Sequence, residues 1–421
     1  MRELLTTLFN QAVTVALPQQ RLAKFLPPPP TGKTIVVGGG KSAALMAKVV
    51  EDNWEQDLTG LVITRYGHRV KTDKIQVKEA SHPIPDHNAV EGTQQIFNLV
   101  SNLTPHDLVI CLLSGGGSAL LTLPPPELNL EDVINIHQQL LRCGANIKEI
   151  NTVRKHLSLS AGGRLAIAAY PAQVVSLIIS DVPGDDLTVI ASGPTIGDSI
   201  TSTDALAILH QYQIPLSPHL QQYLTTNPSP VILPEDKRLH TVQNLLIATP
   251  EISLESAANL AQTHGYNTLI LSDSIQGEAK EVGIVHAGIV QQIVRHRQPL
   301  APPCVMFSGG ETTVTLSKQG KGGPNSEFLL SLAIALDGLP HVYAIACDTD
   351  GIDGSENNAG AIITPFTLQQ ARELGLNPQE YLTNHDSYSF FAQLNSLVIT
   401  GPTLTNVNDF RAILVTRGRG E

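Results

Sequence analysis

Two stretches of the chain repeat one local plan, and that plan restricts the fold more than any other feature. In IVVGGGKSAALM an apolar run ends at Val37, Gly38, Gly39 and Gly40 follow, and Lys41 and Ser42 open a helical pattern. In CLLSGGGSALL, Ser114, Gly115, Gly116, Gly117 and Ser118 stand between a second apolar run and a second helical pattern. Strand, glycine turn and helix in that order belong to α/β folds, whose parallel strands present ligands at their carboxyl ends. Bare N–H groups and the helix dipole make each turn a ready anion site. The first loop is not of the Walker A type, because the position five before Gly40 is Ile35 rather than glycine. It satisfies G-x-G-x-x-A through Gly38, Gly40 and Ala43, but the next strand offers Arg65 where a dinucleotide fold wants an acid. Lys41 inside the loop favours direct contact with phosphate. The competing explanation for all these glycines is close packing of helix on strand.

At 421 residues the chain suits two domains, each large enough to bury a core without disulfides or structural metal. β-Branched and apolar runs predict strands at 34–37, 61–64, 108–113, 174–179, 244–249, 268–272, 304–307, 342–347 and 396–400. Helical patterns lie between them, for example at 89–103, 252–264 and 282–295. Leu4, Leu5, Leu8, Phe9, Ala12 and Val13 share one face of an N-terminal amphipathic helix. The proline-rich stretch 225–236 marks the expected boundary, with a Rossmann-like glycine-loop domain over 1–235 and a second α/β domain over 236–421. The expected class is therefore α/β, two three-layer domains with mainly parallel sheets.

A formal charge of −11 leaves no basic face for nucleic acid or anionic lipid, so phosphate recognition must come from a few cations and backbone N–H groups concentrated locally. Cys111, Cys143, Cys304 and Cys347 form no C-x-x-C pair and read as buried small hydrophobes in a reducing compartment. No apolar stretch reaches membrane-spanning length, and Glu3 stands where a signal peptide would be basic. A cytoplasmic location, no membrane partner and a small-molecule substrate are expected, with homo-oligomerisation left open.

Further motifs carry charge at loop positions. NTVRKHLSLSAGGRLA clusters Arg154, Lys155, His156 and Arg164 in a chain short of cations, which fits anion binding as well as a solvated face. SLIISDVPGDDLTVIASGP ends an apolar run on Asp181, with Asp185 and Asp186 on the next turn. Carboxylates so placed suit Mg²⁺, which takes one or two of them beside phosphate oxygens. FSGGETTVTL places Glu311 at a glycine turn between two strands. ACDTDGIDGSENNAGA sets Asp348, Asp350 and Asp353 after a strand, and TGPTLTNVNDF offers Thr403, Thr405, Asn406 and Asn408. Phosphoryl transfer needs cations and N–H groups for the phosphate oxygens and a carboxylate to take the proton of the attacking hydroxyl. His82 and His87 lack a metal-ligand spacing, and a loop-ordering role suits them better.

Taken together, VVGGGKSA, SHPIPD, LLSGGGSALL, NTVRKHLS, GGRLA, SDVPGDDLTVIASGP, SGGET, KGGPNSEF, TDGIDG and TGPTLTNVND resemble the glycerate 2-kinase family, whose C-terminal part is the MOFRL domain. The resemblance runs from about Gly38 to about Leu414. It implies transfer of the ATP γ-phosphoryl group to the 2-hydroxyl of D-glycerate, with Mg²⁺, in a cleft between two α/β domains. By matched position Lys41 resembles the family's phosphate-contacting lysine, and Asp350 the acid that activates the hydroxyl or holds metal. The expected nucleotide set is Gly38, Gly39, Gly40, Ser42 and Ser114 to Ser118. The expected substrate set is Arg154, Lys155, Glu311, Asn325, Glu327, Thr405 and Asn406, with Asp181, Asp185 and Asp186 for metal. Two departures stand out: Pro324 replaces the arginine of K-G-G-R-N-x-E, and Leu404 replaces the glycine before Thr405 and Asn406. Loss of an arginine clamp costs about 3 kcal/mol of transition-state stabilisation unless Lys318, Lys321 or Arg154 substitutes. The rival expectations are an NADP-dependent hydroxypyruvate reductase, a label this family has also carried, and a non-catalytic ligand-binding member.

Overall fold

The computed structural model describes residues 1–226, 231–315 and 320–418. Lys318 and residues 227–230 of the expected boundary lie outside them. The chain divides into two units: Pro18–Ser180 with Asp185–Ile247, and Met1–Leu17 with Asp181–Gly184 and Ala248–Glu421.

The first unit is built on β1 (Thr34–Gly39), β2 (Leu58–Arg65), β3 (Ile75–Ala80), β4 (Leu108–Leu113), β5 (Gln173–Ile179) and β6 (Val242–Ala248), in the order β3-β2-β1-β4-β5-β6. The ladders joining β1 to β5 are all parallel. Every residue of β1 and β4 is buried, as expected of central strands covered on both faces. Helices between the strands begin where side chains can cap them. Asn129 with Asp132, Asn146 with Glu149, and Thr201 with Asp204 form reciprocal capping boxes. The helices Leu130–Arg142, Ile147–His156, Ser202–Gln211 and Pro218–Thr226 share a satellite core around Ile136, Leu140, Val153 and Leu209.

The second unit contains β7 (Asn267–Ile270), β8 (Ile275–Glu278), β9 (Cys304–Thr313), β10 (Val342–Asp348), β11 (Gly360–Ile363), β12 (Leu397–Val398) and β13 (Asp409–Val415). The order is β12-β11-β10-β13-β9-β7, with β8 beside β9. The α/β class and the two sheets agree with expectation, but this sheet is mixed rather than mainly parallel. β9, β10, β11, β12 and β13 pair antiparallel, and only β7 and β8 run parallel to β9. The physical reason lies in β11 and β13, which the sequence pattern did not reveal. β10 turns back into β11 through the acidic loop, with no helix to carry the chain across for parallel pairing.

Two cores cover this sheet. On one side Phe328, Leu329 and Leu332 of the helix Pro324–Leu336 pack with Met306, Ala344 and Ile413. On the other, Leu5, Leu8, Phe9 and Ala12 join Leu254, Ala257, Phe307 and Phe410. The N-terminal helix Arg2–Ala16 thus belongs to the unit made mostly of C-terminal sequence, and Ser253 Oγ donates to its Ala12 carbonyl at 2.9 Å.

Candidate active site

In the first unit the strand order reverses between β1 and β4, so the connections leaving their carboxyl ends diverge and open a crevice there. Both glycine loops lie at that point. They interlock: Lys41 N–H donates to Gly115 O at 2.8 Å, Ser42 N–H to Ser114 Oγ at 3.0 Å, and Ser114 N–H to Gly39 O at 3.4 Å. Gly40 N–H donates to Ile63 O at 3.1 Å. The expectation that the first loop bares its N–H groups is therefore corrected. Those of Gly40, Lys41 and Ser42 hold the two loops and β2 together, while no internal acceptor meets the N–H groups of Gly115 and Gly116 among the described residues. Packing explains several of the glycines. A Cβ on Gly38 would stand 2.0 Å from Leu112 O, one on Gly40 2.1 Å from Ser114 Oγ, and one on Gly117 2.5 Å from Ala191 Cβ. Gly116 adopts left-handed backbone with φ 81°, and His82 lies against it, in keeping with a loop-ordering role. Lys41 is half-buried, and its carbonyl accepts from Thr64 Oγ1 at 3.3 Å. Ser42 is fully buried with no partner for its hydroxyl, and Ser118 Oγ lies 2.7 Å from Ser192 Oγ.

The cationic cluster of the same unit separates into distinct roles. Lys155 forms an ion pair with Asp198, and Arg164 donates through one nitrogen to the carbonyls of Lys155, Ser158 and Ala161. His156 is buried and held below the ordinary imidazole range by that burial. The Arg154 side chain makes no ion pair or hydrogen bond to any described residue, and burial pushes it down to about 10. Asp186 Oδ1 closes a turn by accepting from Thr188 N–H and Oγ1, at 3.0 and 2.7 Å. Asp185 stands in left-handed backbone with φ 56°.

In the second unit, register brings the acidic motifs to one end of the sheet. Asp348 of β10 pairs with Asp409 of β13, and Asp409 pairs with Gly310 of β9. Glu311 is exposed and lies inside β9, which runs on through Gly309 and Gly310, so the expected turn between two strands is absent. Asp350 is 2% exposed, and its Oδ1 accepts Ile352 N–H at 2.8 Å. Asp353 accepts the N–H groups of Asn325 and Ser326 at 2.9 and 2.8 Å and so caps the helix Pro324–Leu336. Burial pushes it up to about 6. Pro324 fits that cap, because the first helical position needs no N–H and favours the fixed φ of proline.

Asn325 Nδ2 holds Asp409 Oδ1 at 2.6 Å, and Asp409 also pairs with the fully buried Arg411. Glu327 is raised by burial and meets His385 Nδ1 at 3.0 Å. Thr405 Oγ1 donates to Ala16 O at 2.8 Å, and Asn406 Nδ2 donates to Asp181 Oδ2 at 3.1 Å. Asp409, Arg411, His385 and His137 escaped the sequence reading. The one available signal for His137 was its place on the apolar face set by Val133, Ile136 and Leu140. Among the described residues no group of three or more His, Cys, Asp or Glu side chains could hold a metal ion. No helix among them is long and apolar enough to cross a membrane.

Residues 4–225 match a domain of unknown function, DUF4147, and residues 304–409 match the MOFRL family. The chain is 48% identical to a protein of Agrobacterium vitis named putative hydroxypyruvate reductase, over 98% of this chain and 94% of that one. It is 38% identical to the D-glycerate 2-kinase of Thermotoga maritima, covering 97% of each chain. The crystal structure of glycerate kinase from Thermotoga maritima matches it with a TM-score of 0.87, at 37% identity over 99% of both chains. The chain belongs to the glycerate 2-kinase family, with a DUF4147 region followed by a MOFRL region.

Proposed function

We propose that this protein is an ATP-dependent kinase that transfers the γ-phosphoryl group to the 2-hydroxyl of D-glycerate, giving 2-phospho-D-glycerate. The observation that carries the proposal is the meeting of two glycine loops, with Lys41 between them, where the parallel sheet reverses its order. The full-length similarity to a D-glycerate 2-kinase supports the choice of acceptor.

In this mechanism the Lys41 ammonium and the N–H groups of Gly115 and Gly116 meet the triphosphate oxygens. The buried Ser42 hydroxyl, left without a protein partner, fits an oxygen-rich ligand. Asp350 is assigned the proton of the attacking hydroxyl. Mg²⁺, if bound, would offset the charge of phosphate oxygens; Asp181, Asp185 and Asp186, which do not form a three-ligand group, would supply one or two carboxylates to it. Of these, Asp186 is already engaged by Thr188. A cytoplasmic location, where ATP is plentiful and thiols stay reduced, accompanies this function.

ADP release measured across D-glycerate, L-glycerate, lactate and tartronate tests the proposal. Turnover restricted to D-glycerate, with product phosphorylated at the 2-position, is expected; binding of ATP and acid without turnover would leave a non-catalytic member. The hydroxypyruvate reductase alternative draws on the name of the Agrobacterium relative and on the dinucleotide-fold strand order. Arg65 at the end of β2 suits a 2′-phosphate and so favours that alternative, but the closed N–H groups of Gly40 to Ser42 weigh against it. Nicotinamide absorbance is expected to stay constant when NADPH and hydroxypyruvate are mixed with the protein.

A further inference from the structure

A small cavity in the first unit is lined by Ser118, Thr122, His137, Arg154, Ser158 and Ser192, with apolar walls from Leu121, Val133, Ala161 and Ala191. Its free volume is about 10 Å³, room for about one water molecule or one ligand oxygen. His137 is 2% exposed, and neither of its ring nitrogens has a partner among the described residues. The Nε of Arg154 is likewise buried without an acceptor. Such orphaned groups cost about 1–3 kcal/mol each when neutral and more when charged, so their retention calls for a guest.

A water would satisfy the hydrogen bonds, but the unmatched charge of Arg154 favours an anionic oxygen. Lys155 and Arg164, the neighbouring cations, are matched by Asp198 and by carbonyls, whereas no carboxylate faces Arg154 among the described residues. Burial and the adjacent Arg154 charge keep His137 neutral, well below the ordinary imidazole range, so it adds a hydrogen bond rather than a second charge. The remaining polar lining is hydroxyl. Ser118 belongs to the second glycine loop, which places the cavity beside the loop assigned to phosphate. Two of the lining residues, Ala191 and Ser192, stand in left-handed backbone at φ 50° and 62°.

We propose that Arg154 and His137 form the seat for the carboxylate of the acceptor acid, one of whose oxygens enters the cavity beside the hydrogen-bonded Ser118 and Ser192 hydroxyls. The proposal rests on the kinase reading for the identity of the acid, but binding itself can be measured without turnover. Arg154 supplies the counter-charge, His137 orients the entering oxygen, and the one-oxygen width excludes larger groups. Both are binding residues and take no part in the chemistry.

The test combines steady-state kinetics with thermal shift of the whole protein, using Arg154→Met, Arg154→Lys and His137→Gln. Arg154→Met is expected to raise KM for D-glycerate about 100-fold, with KM for ATP within about twofold of wild type. Arg154→Lys should restore part of that loss, to about 10-fold, because the point charge remains while the planar fork is gone. His137→Gln should raise KM by less than about 10-fold. D-glycerate is expected to raise the Tm of the wild type, and glycerol, which lacks the carboxylate, is not. An unchanged D-glycerate KM and thermal shift in Arg154→Met, with wild-type turnover intact, overturns the seat and leaves the kinase standing. A wild type that releases no ADP with any acid, yet is stabilised by D-glycerate through Arg154, overturns the kinase and keeps the seat. Equal stabilisation by chloride or acetate would overturn the assignment to the substrate acid. If Arg154→Met fails to fold, the Arg154→Lys and His137→Gln pair decides the matter: wild-type KM in both overturns it.

Discussion

Leu404 occupies left-handed backbone, φ 65°, where the family resemblance places a glycine. A Cβ in that conformation costs about 1–2 kcal/mol, and glycine would avoid it at a cost of roughly 0.5–1 kcal/mol in chain entropy. Leu404→Gly is expected to raise stability by up to about 1 kcal/mol, seen as a higher urea midpoint. A lower midpoint would mean that the half-buried side chain contributes more by packing than its backbone loses. Lys41 presents the opposite case, a residue whose value is chemical. Lys41→Ala should lower kcat on the order of 100-fold with little change in Tm, because the backbone N–H of Lys41, which the substitution leaves in place, ties the two loops together. Near-normal turnover would remove Lys41 from the mechanism.

Among elements, the interlocked glycine loops are the tightest fit. Gly117→Ala would bring its methyl against Ala191 and cost about 1–3 kcal/mol through forced shifts, and a melting temperature equal to wild type would refute that. The loops were legible in the sequence because a glycine run between an apolar strand and a helix has few structural meanings. What they do with their N–H groups was not legible, since Ser114 Oγ and Gly115 O reach the first loop from more than seventy positions away. β1, β2, β4 and β5 announced themselves through β-branched runs. β13 did not, because its DFRAILV begins with a buried ion pair and follows directly on a polar loop. Missing β13 and β11 also hid the antiparallel character of the second sheet. Asp350 and Asp353 looked alike in TDGID, yet one closes a local turn and the other caps a helix twenty-eight positions earlier. Sequence shows the carboxylate; only long-range contact separates a helix cap from a carboxylate that closes its own turn.

For the whole molecule, buried imidazoles set the pH dependence of stability. Burial lowers His137, His156 and His286, the last to about 4, where it bonds Ser308 Oγ and the Val282 carbonyl. Below the ordinary value of 6.5 the unfolded chain takes protons that the folded one refuses, so stability falls with pH from there towards 4. Asp353, raised to about 6, acts the other way, since the folded state keeps its proton as pH falls from 6 towards 3.8. Glu327, also raised by burial, opposes the imidazoles as well; three groups against two leave a lower urea midpoint at pH 5 than at pH 7 as the expected result. His286 alone accounts for about 2 kcal/mol of that loss. An equal or higher midpoint at pH 5 would show that the imidazoles are not held neutral. The placement of Arg2–Ala16 in the second unit bears finally on synthesis. Ala12 leaves the ribosome long before Ser253, its partner 241 positions later, so Leu5, Leu8 and Phe9 wait in water while the first unit is completed. Through that interval the nascent protein carries a greasy helical ribbon with nowhere to dock, a handle for chaperones and a hazard for any fusion that stiffens it.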